Sequence, residues 1–537
     1  MLIVMVGVGL AFAAVSGQLV RLATKGGNGP VIARAEPVAS SFARPDIIDR
    51  NGRLIATDVG MHSFFVDPAD VLDRDEFVEK LSGVLPDLDT AALRAGLADP
   101  KSRFQWIRRG VSPQLAQRLH DLGLPGLNFK MELRRAYPMG PTAGHLIGSV
   151  SIDNKGLSGV ERTIDGRFGL EGVHDATLTG SAPIRLTIDL GVEHSLEDEL
   201  ASAMTRYGAN AAAGLVMDVG TGEVLASASL PGVDPGRTEE AADKTRIDRV
   251  AGGTYELGSV FKLVTLAMAI DGGAAASRVV DVTQPLAAGR FTITDDHPAG
   301  RPLSLAEIFT HSSNVGAAML ALEAGPDRQR SFMDKLGLLS PMTTERGPIA
   351  PPQLPAHWGQ IEEMTMAYGH GLAVAPLQFA AAAAALVNGG LRVTPRFFAG
   401  GPADEASPTR VVSAGTSTVM RSLMRLNVTD PHGTGHRAEV PGYEVGGKTG
   451  TAEMPSHGGY AAKRVLSSFV AAFPMSRPKY LVMVSLFEPH GTAETNGEIT
   501  AGTNAAPTAA RIIERIGPQL GFLPGVDHLA GADDATP

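Results

Sequence analysis

Cysteine is absent from all 537 residues. Disulfides, zinc ribbons, iron–sulfur clusters and cysteine nucleophiles are therefore excluded, and the compartment has to be read from other features. A basic surplus is missing too: 47 lysines and arginines stand against 57 acids, a formal net charge of −10. Neutralising phosphates needs such a surplus, so nucleic-acid binding is not expected. The chain shows no internal repeat. Its 63 glycines and 36 prolines stay below the low-complexity range, so many turns are expected but not a collagen-like or wholly disordered protein. The remaining balance, 44% hydrophobic and 19% charged, is that of a globular protein. At ~150 residues per domain the length predicts two to four domains.

One long apolar run is present. Residues 2–20 carry no charge and end at Arg21. About 20 apolar residues span a bilayer as a helix, so residues 1–22 are expected to be a membrane anchor. A cleaved signal peptide ending near Ala14-Val15-Ser16 is the alternative. Arg21, Lys25 and Arg34 follow the run and only the α-amino group precedes it. Read literally, the positive-inside rule would hold the rest of the chain in the cytoplasm, but large domains cross largely regardless of such charges. The expectation that reconciles the two is a basic cytoplasmic tail upstream of Met1. An N-terminal peptide starting at Met1 in the native membrane protein would refute it.

Residues 25–45 have linker chemistry. Asn51-Gly52 between two short apolar runs predicts a hairpin with a type I′ turn. Residues 66–130 read as mixed short helices and strands, and a new compact unit opens with a strand at residues 183–188. Val192, Leu196 and Leu200 recur at helical spacing. Gly220-Thr221-Gly222 separates the strands of a second hairpin, and Pro376 opens a helix closed by Asn388-Gly389-Gly390. Strands over 468–473 and 480–487 complete an antiparallel set.

The chemistry begins with a lysine in an apolar setting. Residues 258–270 are apolar nearly all round, which describes a helix buried within a domain. Lys262 sits in its first turn, although lysine is almost never buried without a purpose. Ser259, three residues earlier, lies on the same side and at the positive end of the helix. A hydroxyl there with an amine beside it is a nucleophile–base pair. Taken alone, the same residues also read as an N-cap serine with a snorkelling lysine. Two further elements narrow the reading. Ser312-Ser313-Asn314 joins two apolar helical stretches and presents a hydroxyl and an amide two residues apart. Gly446-Gly447-Lys448-Thr449-Gly450-Thr451 follows a short strand segment at 443–445, and its glycines allow a ligand backbone to approach a strand edge. It lacks the spacing of a phosphate-binding P-loop.

In that order, S-x-x-K at Ser259/Lys262, S-x-N at Ser312/Asn314 and K-T-G at Lys448/Thr449/Gly450 resemble the penicillin-binding proteins and serine β-lactamases. Arg50-Asn51-Gly52 resembles the family's D-R-N-G element. Arg135-Ala136-Tyr137-Pro138-Met139-Gly140, with His145 and Gly148, resembles R-x-Y-P-x-G, and Gly159-Val160-Glu161 resembles G-x-E. Together these resemble a class B penicillin-binding protein. Residues 367–372 with Pro376-Leu377-Gln378 look most like its division-type (septal) branch. Two departures remove no chemical group: Leu257 stands for the usual proline, and Pro45 for the usual glycine.

The resemblance implies an α+β multidomain protein. Its parts would be an anchor (1–22), a linker and mixed, elongated, non-catalytic pedestal (23–182), a transpeptidase domain with an antiparallel sheet flanked by helices (183–519), and a flexible tail (520–537). It implies acyl transfer on D-alanyl-D-alanine stem peptides of peptidoglycan at the septum, with β-lactams as covalent inhibitors. In the implied roles Ser259 is the nucleophile, Lys262 its base and Ser312 a proton relay. Asn314, Lys448, Thr449, Gly450 and Thr451 would bind substrate, and the backbone N–H groups of Ser259 and Thr451 would form the oxyanion hole. No cofactor or metal is implied. His432 and His436 have ligand spacing but no third ligand, and read as solvated loop residues. The implied partners are the inner membrane, a membrane glycosyltransferase and other division proteins, with the catalytic domain outside the cytoplasm. A D,D-carboxypeptidase, a serine β-lactamase, and a membrane-anchored sensor or divisome scaffold remain as alternatives.

Overall fold

The computed structural model describes residues 43–167, 182–288, 291–400, 409–456 and 459–522. The expected anchor at 1–22 and most of the expected tail lie outside the described residues. Among those described, no helix is long and apolar enough to cross a membrane.

The chain divides into two compact units that do not simply follow chain order. The smaller contains residues 60–133; the larger contains residues 44–59, 134–167 and everything described from 182 onwards. The segment expected to be a pedestal, 23–182, thus contributes to both. In the smaller unit, the strand residues His62–Val66 pair antiparallel with Gln105–Val111. Phe64, Val66 and Ile107 on these strands pack with Phe77, Leu81, Leu93, Leu97 and Leu119 from three short helices.

In the larger unit, Ile47–Ile48 pairs antiparallel with the start of strand Leu54–Val66 and parallel with Ile184–Arg185. The expected hairpin at Asn51-Gly52 forms, but its turn is not type I′. Only Gly52 has positive φ (86°). The buried Asp49 carboxylate sets the turn instead, accepting from the backbone N–H groups of Asn51 and Arg53 at 2.8 Å each. Beside it lies a buried ionic cluster. Glu161 accepts from Arg135 Nε at 2.7 Å and from Arg44 Nε at 2.9 Å, and Arg135 also pairs with Asp58 at 3.2 Å. The R-x-Y-P-x-G and G-x-E elements are therefore structural here, one supplying the cation and the other the anion. Glu161→Ala would leave two buried guanidinium groups short of their counter-charge. It is expected to cost roughly 3–5 kcal/mol of stability, read from urea unfolding midpoints.

The larger unit is built on a five-stranded antiparallel sheet: β1 Ala211–Asp218, β2 Val224–Leu230, β3 Gly446–Ser456, β4 Gly459–Phe473 and β5 Tyr480–Phe487, in the order β3-β4-β5-β1-β2. Helices cover both faces, which explains why the described strands bury side chains in both directions. On one face, α1 (Leu190–Tyr207) places Val192, Leu196 and Leu200 against the sheet, joined by Ile512, Ile513 and Ile516 of the C-terminal helix. On the other face lie α2 (Lys262–Asp271), α3 (Asn314–Ala324), α4 (Pro376–Val387) and α5 (Ala414–Thr429). Every residue of α4 is buried, and its one polar side chain, Gln378, donates to Gly337 O at 2.6 Å and Ser340 O at 2.8 Å. Two expectations shift. The strand placed at 443–445 begins only at Gly446, because the backbone at 443–445 turns before it reaches β4. Leu520 and Phe522, expected in the tail, belong to the fold: Phe522 meets the rings of Phe473 and Tyr480 at 5.9 and 5.8 Å.

Candidate active site

β3 lies at the edge of the sheet, and the turn that carries Ser259 packs beside it. Residues Gly258–Phe261 form a 3-10 turn that runs straight into α2. Side chains three apart eclipse one another in a 3-10 turn, which stacks Ser259 and Lys262 on one face. Gly258 has φ 58°, and a Cβ there would stand 2.7 Å from Thr451 O. A Cβ on Gly450 would stand 2.4 Å from Leu257 O. Both glycines therefore exist to let turn and strand touch. A third, Gly369 (φ 90°), presses on the same turn from behind, where a Cβ would lie 2.1 Å from Gly258 O.

Lys262 is fully buried. Its Nζ lies within hydrogen-bond reach of four oxygens, Ser259 Oγ at 2.9 Å, Ser312 Oγ at 3.0 Å, Asn314 Oδ1 at 2.7 Å and the carbonyl oxygen of Ser312, one more than an ammonium has protons. Lys448, equally buried, reaches the same Ser312 Oγ from β3 at 2.9 Å. One hydroxyl thus bridges two amines. Burial pushes Lys262 down to about 7, opposed by the charges of Asp295 and Asp296. Lys448 is held well below the usual lysine range, by burial first and then by the charge of Lys262.

The eight residues singled out from the sequence divide as follows. Ser259, Lys262, Ser312, Asn314 and Lys448 form one hydrogen-bonded cluster. Thr449 Oγ1 donates to Thr434 Oγ1 at 2.8 Å beside it. Gly450 faces the nucleophile turn. The Thr451 hydroxyl accepts from Ala501 N at 3.0 Å, which ties β3 to the segment that leads into the C-terminal helix. His432 and His436 are both exposed, and the described residues hold no group of three ligating side chains.

Sequence reasoning missed three contributors. Asp295 accepts from Ser313 Oγ at 2.7 Å, Asn314 N at 2.5 Å and Val315 N at 2.9 Å. Thr434 donates to Asn427 Oδ1 at 3.1 Å, and the buried Asn427 amide donates to Gly447 O at 2.9 Å. Asp295 is one acid in a polar loop and Asn427 one amide in a helix; neither carries a local pattern that would mark it.

Residues 212–514 match the family described as the penicillin binding protein transpeptidase domain, and residues 40–188 the penicillin-binding protein dimerisation domain. The chain belongs to the penicillin-binding protein transpeptidase family. A Caulobacter vibrioides relative named "Probable peptidoglycan D,D-transpeptidase FtsI" is 39% identical, over 89% of this chain and 82% of its own length. The "Peptidoglycan D,D-transpeptidase FtsI" of Escherichia coli K12 is 28% identical, over 86% and 82%. Penicillin binding protein 3 of a Mycobacterium, solved with aztreonam, shares the fold with a TM-score of 0.67 at 24% identity, covering 90% of this chain and 98% of that one. The α+β chain thus carries two regions of this family, a dimerisation region where the non-catalytic pedestal was expected and a transpeptidase region with an antiparallel sheet.

Proposed function

We infer that this chain is a peptidoglycan D,D-transpeptidase of the division type, working through a serine acyl-enzyme at the septum. The observation that carries the reading is the buried Lys262 amine, 2.9 Å from Ser259 Oγ beside an open strand edge. An amine at the unperturbed value of about 10.4 is neutral in roughly four molecules in ten thousand at pH 7. Pulled down to about 7, Lys262 is neutral in about half.

Neutral Lys262 takes the Ser259 proton as Oγ attacks the carbonyl of the penultimate D-alanine. The C–O bond forms, the C–N bond breaks, and the departing D-alanine amine receives a proton through Ser312, whose hydroxyl both lysines hold. The backbone N–H groups of Ser259 and Thr451 stabilise the oxyanion, each donor contributing about 10²–10³ in rate. Lys448 and Thr449 receive the terminal carboxylate, and Asn314 and the β3 backbone receive the peptide, which adds as a strand to the open edge of the sheet. The amine of a second stem peptide then takes the acyl group and frees Ser259. β-Lactams enter the same route and stop at the acyl-enzyme. The named relatives carry the division assignment. With it go an anchor in the cytoplasmic membrane, a catalytic unit on its outer side, and a glycosyltransferase and other division proteins as partners.

The test is the intact mass of the full-length protein followed after adding a penicillin, with the adduct mapped. It is paired with a stem peptide ending in D-Ala-D-Ala and an amine acceptor. A long-lived adduct on Ser259 and a cross-linked product are expected. Hydrolysed peptide alone would make the chain a carboxypeptidase, a rapidly vanishing adduct a β-lactamase, and no adduct a sensor or scaffold.

A further inference from the structure

Two things about the S-x-N turn need a cause. Ser312 holds φ 60°, in the left-handed region where a residue with a side chain is uncommon. Its hydroxyl must also stay midway between two buried amines, 3.0 Å from one and 2.9 Å from the other. The first follows from the preceding helix, Leu305–Thr310, which ends at Ser312: the Ser312 N–H bonds Phe309 O at 3.3 Å and the Ser313 N–H bonds Ile308 O at 3.0 Å. The other half of the turn, where Ser313 caps α3, is tied down by a carboxylate from outside it. Asp295 follows the short strand Phe291–Ile293 and reaches back across the turn. One oxygen accepts the backbone N–H groups of Asn314 and Val315, and the other accepts the Ser313 hydroxyl. Preceding Thr294 holds the far side of Asn314, accepting from Nδ2 at 3.3 Å. The Asn314 side chain is thereby oriented with Oδ1 towards Lys262.

We propose that Asp295 is a positioning residue for acylation. It clamps the Ser312–Ser313–Asn314 turn against the two lysines and places a negative charge opposite the buried Lys262 amine. The proposal rests on the transpeptidase reading and adds a residue to it. The two effects act in opposite directions, which separates them experimentally. The clamp holds the relay hydroxyl in place and raises the rate at every pH. The charge favours protonated Lys262, so it restrains the fall that burial causes and keeps the base from losing its basicity. The charged groups facing Lys262 are Lys448 on β3 and Asp295 and Asp296 on the loop; His311 on the turn is exposed.

The experiment is the pH profile of penicillin acylation for full-length protein and three variants, each checked by thermal melting. Because the active base is neutral Lys262, removing a negative charge moves the acid limb to lower pH. Asp295→Asn is expected to lower the high-pH plateau roughly tenfold, since a charged hydrogen-bond acceptor becomes a neutral one. It is also expected to shift the acid limb down by about half a pH unit or more. Asp296→Asn, whose side chain makes no bond to the turn, should shift the limb and keep the plateau. Ser313→Ala should lower the plateau and keep the limb. An Asp295→Asn profile with the wild-type limb, or with the wild-type plateau, overturns the proposal, and so does an Asp296→Asn limb that stays in place. Should Asp295→Asn fail to fold, the Asp296→Asn and Ser313→Ala profiles still decide. Absence of labelling in the wild-type protein would instead overturn the transpeptidase reading itself.

Discussion

Replacing Ser259 by alanine is expected to abolish covalent labelling by a penicillin and leave the protein folded. The loss is total because the attacking atom itself is removed, and the neighbouring hydroxyls are already engaged. The Ser312 Oγ is bonded by two lysines, and the Thr449 and Thr451 hydroxyls are engaged with Thr434 and Ala501. The fold survives because Ser259 contributes one hydrogen bond to a turn anchored by its neighbours Val260 and Phe261, both fully buried. Lys262 keeps Ser312 and Asn314 as acceptors when the serine hydroxyl is gone. Intact mass over time, with urea unfolding of the same sample, measures both halves. Undiminished labelling of the variant would reject Ser259 as the nucleophile.

Lys262→Met keeps the length and apolar stem of the side chain and deletes the base. Acylation is expected to slow by roughly 10²–10⁴-fold, the usual worth of general-base catalysis. The same variant reads the amine in a second way, through stability. Lysine titrates near 10.4 when unfolded and about 7 here. Between those values the unfolded chain binds more protons than the folded one, so stability rises as pH rises from 7 towards 10. The change from this one group reaches about 5 kcal/mol in the limit, and Lys448, lowered in the same direction, adds to it. Lys262→Met should therefore flatten the slope of stability against pH, whatever it does at a single pH. Urea midpoints at neutral and alkaline pH give the slope; equal slopes for the two proteins would show that Lys262 is not held deprotonated by the fold.

Much of the catalytic unit could be read from local pattern. The spacing of Val192, Leu196 and Leu200 announced α1, and Pro376 with Asn388 bracketed α4, because helices leave periodic and capping marks. The three motifs likewise named five of the cluster's side chains. What escaped notice was set by distant groups. The turn at Asn51-Gly52 takes its form from the Asp49 carboxylate, which overrides the dipeptide's own preference. The K-T-G strand starts at a pair of glycines, poor strand formers in isolation, because the Phe469 ring of β4 fills the place where a Gly447 side chain would be. Asp295 bonds across a separation of 18 to 20 residues, and no periodicity records such a reach.

The larger unit closes on itself without residues 60–133: the chain leaves it after Val59 and returns at Arg134. In topological terms the smaller unit is a passenger inserted into a single connection. The entropy of closing a connection grows only with the logarithm of its length, about 0.6 kcal/mol for each doubling. Lengthening or shortening that connection therefore has little entropic effect on the catalytic fold. Truncation is another matter. A fragment beginning at residue 183 would discard Arg44, Asp58, Arg135 and Glu161, and with them the strand that pairs with Ile184–Arg185.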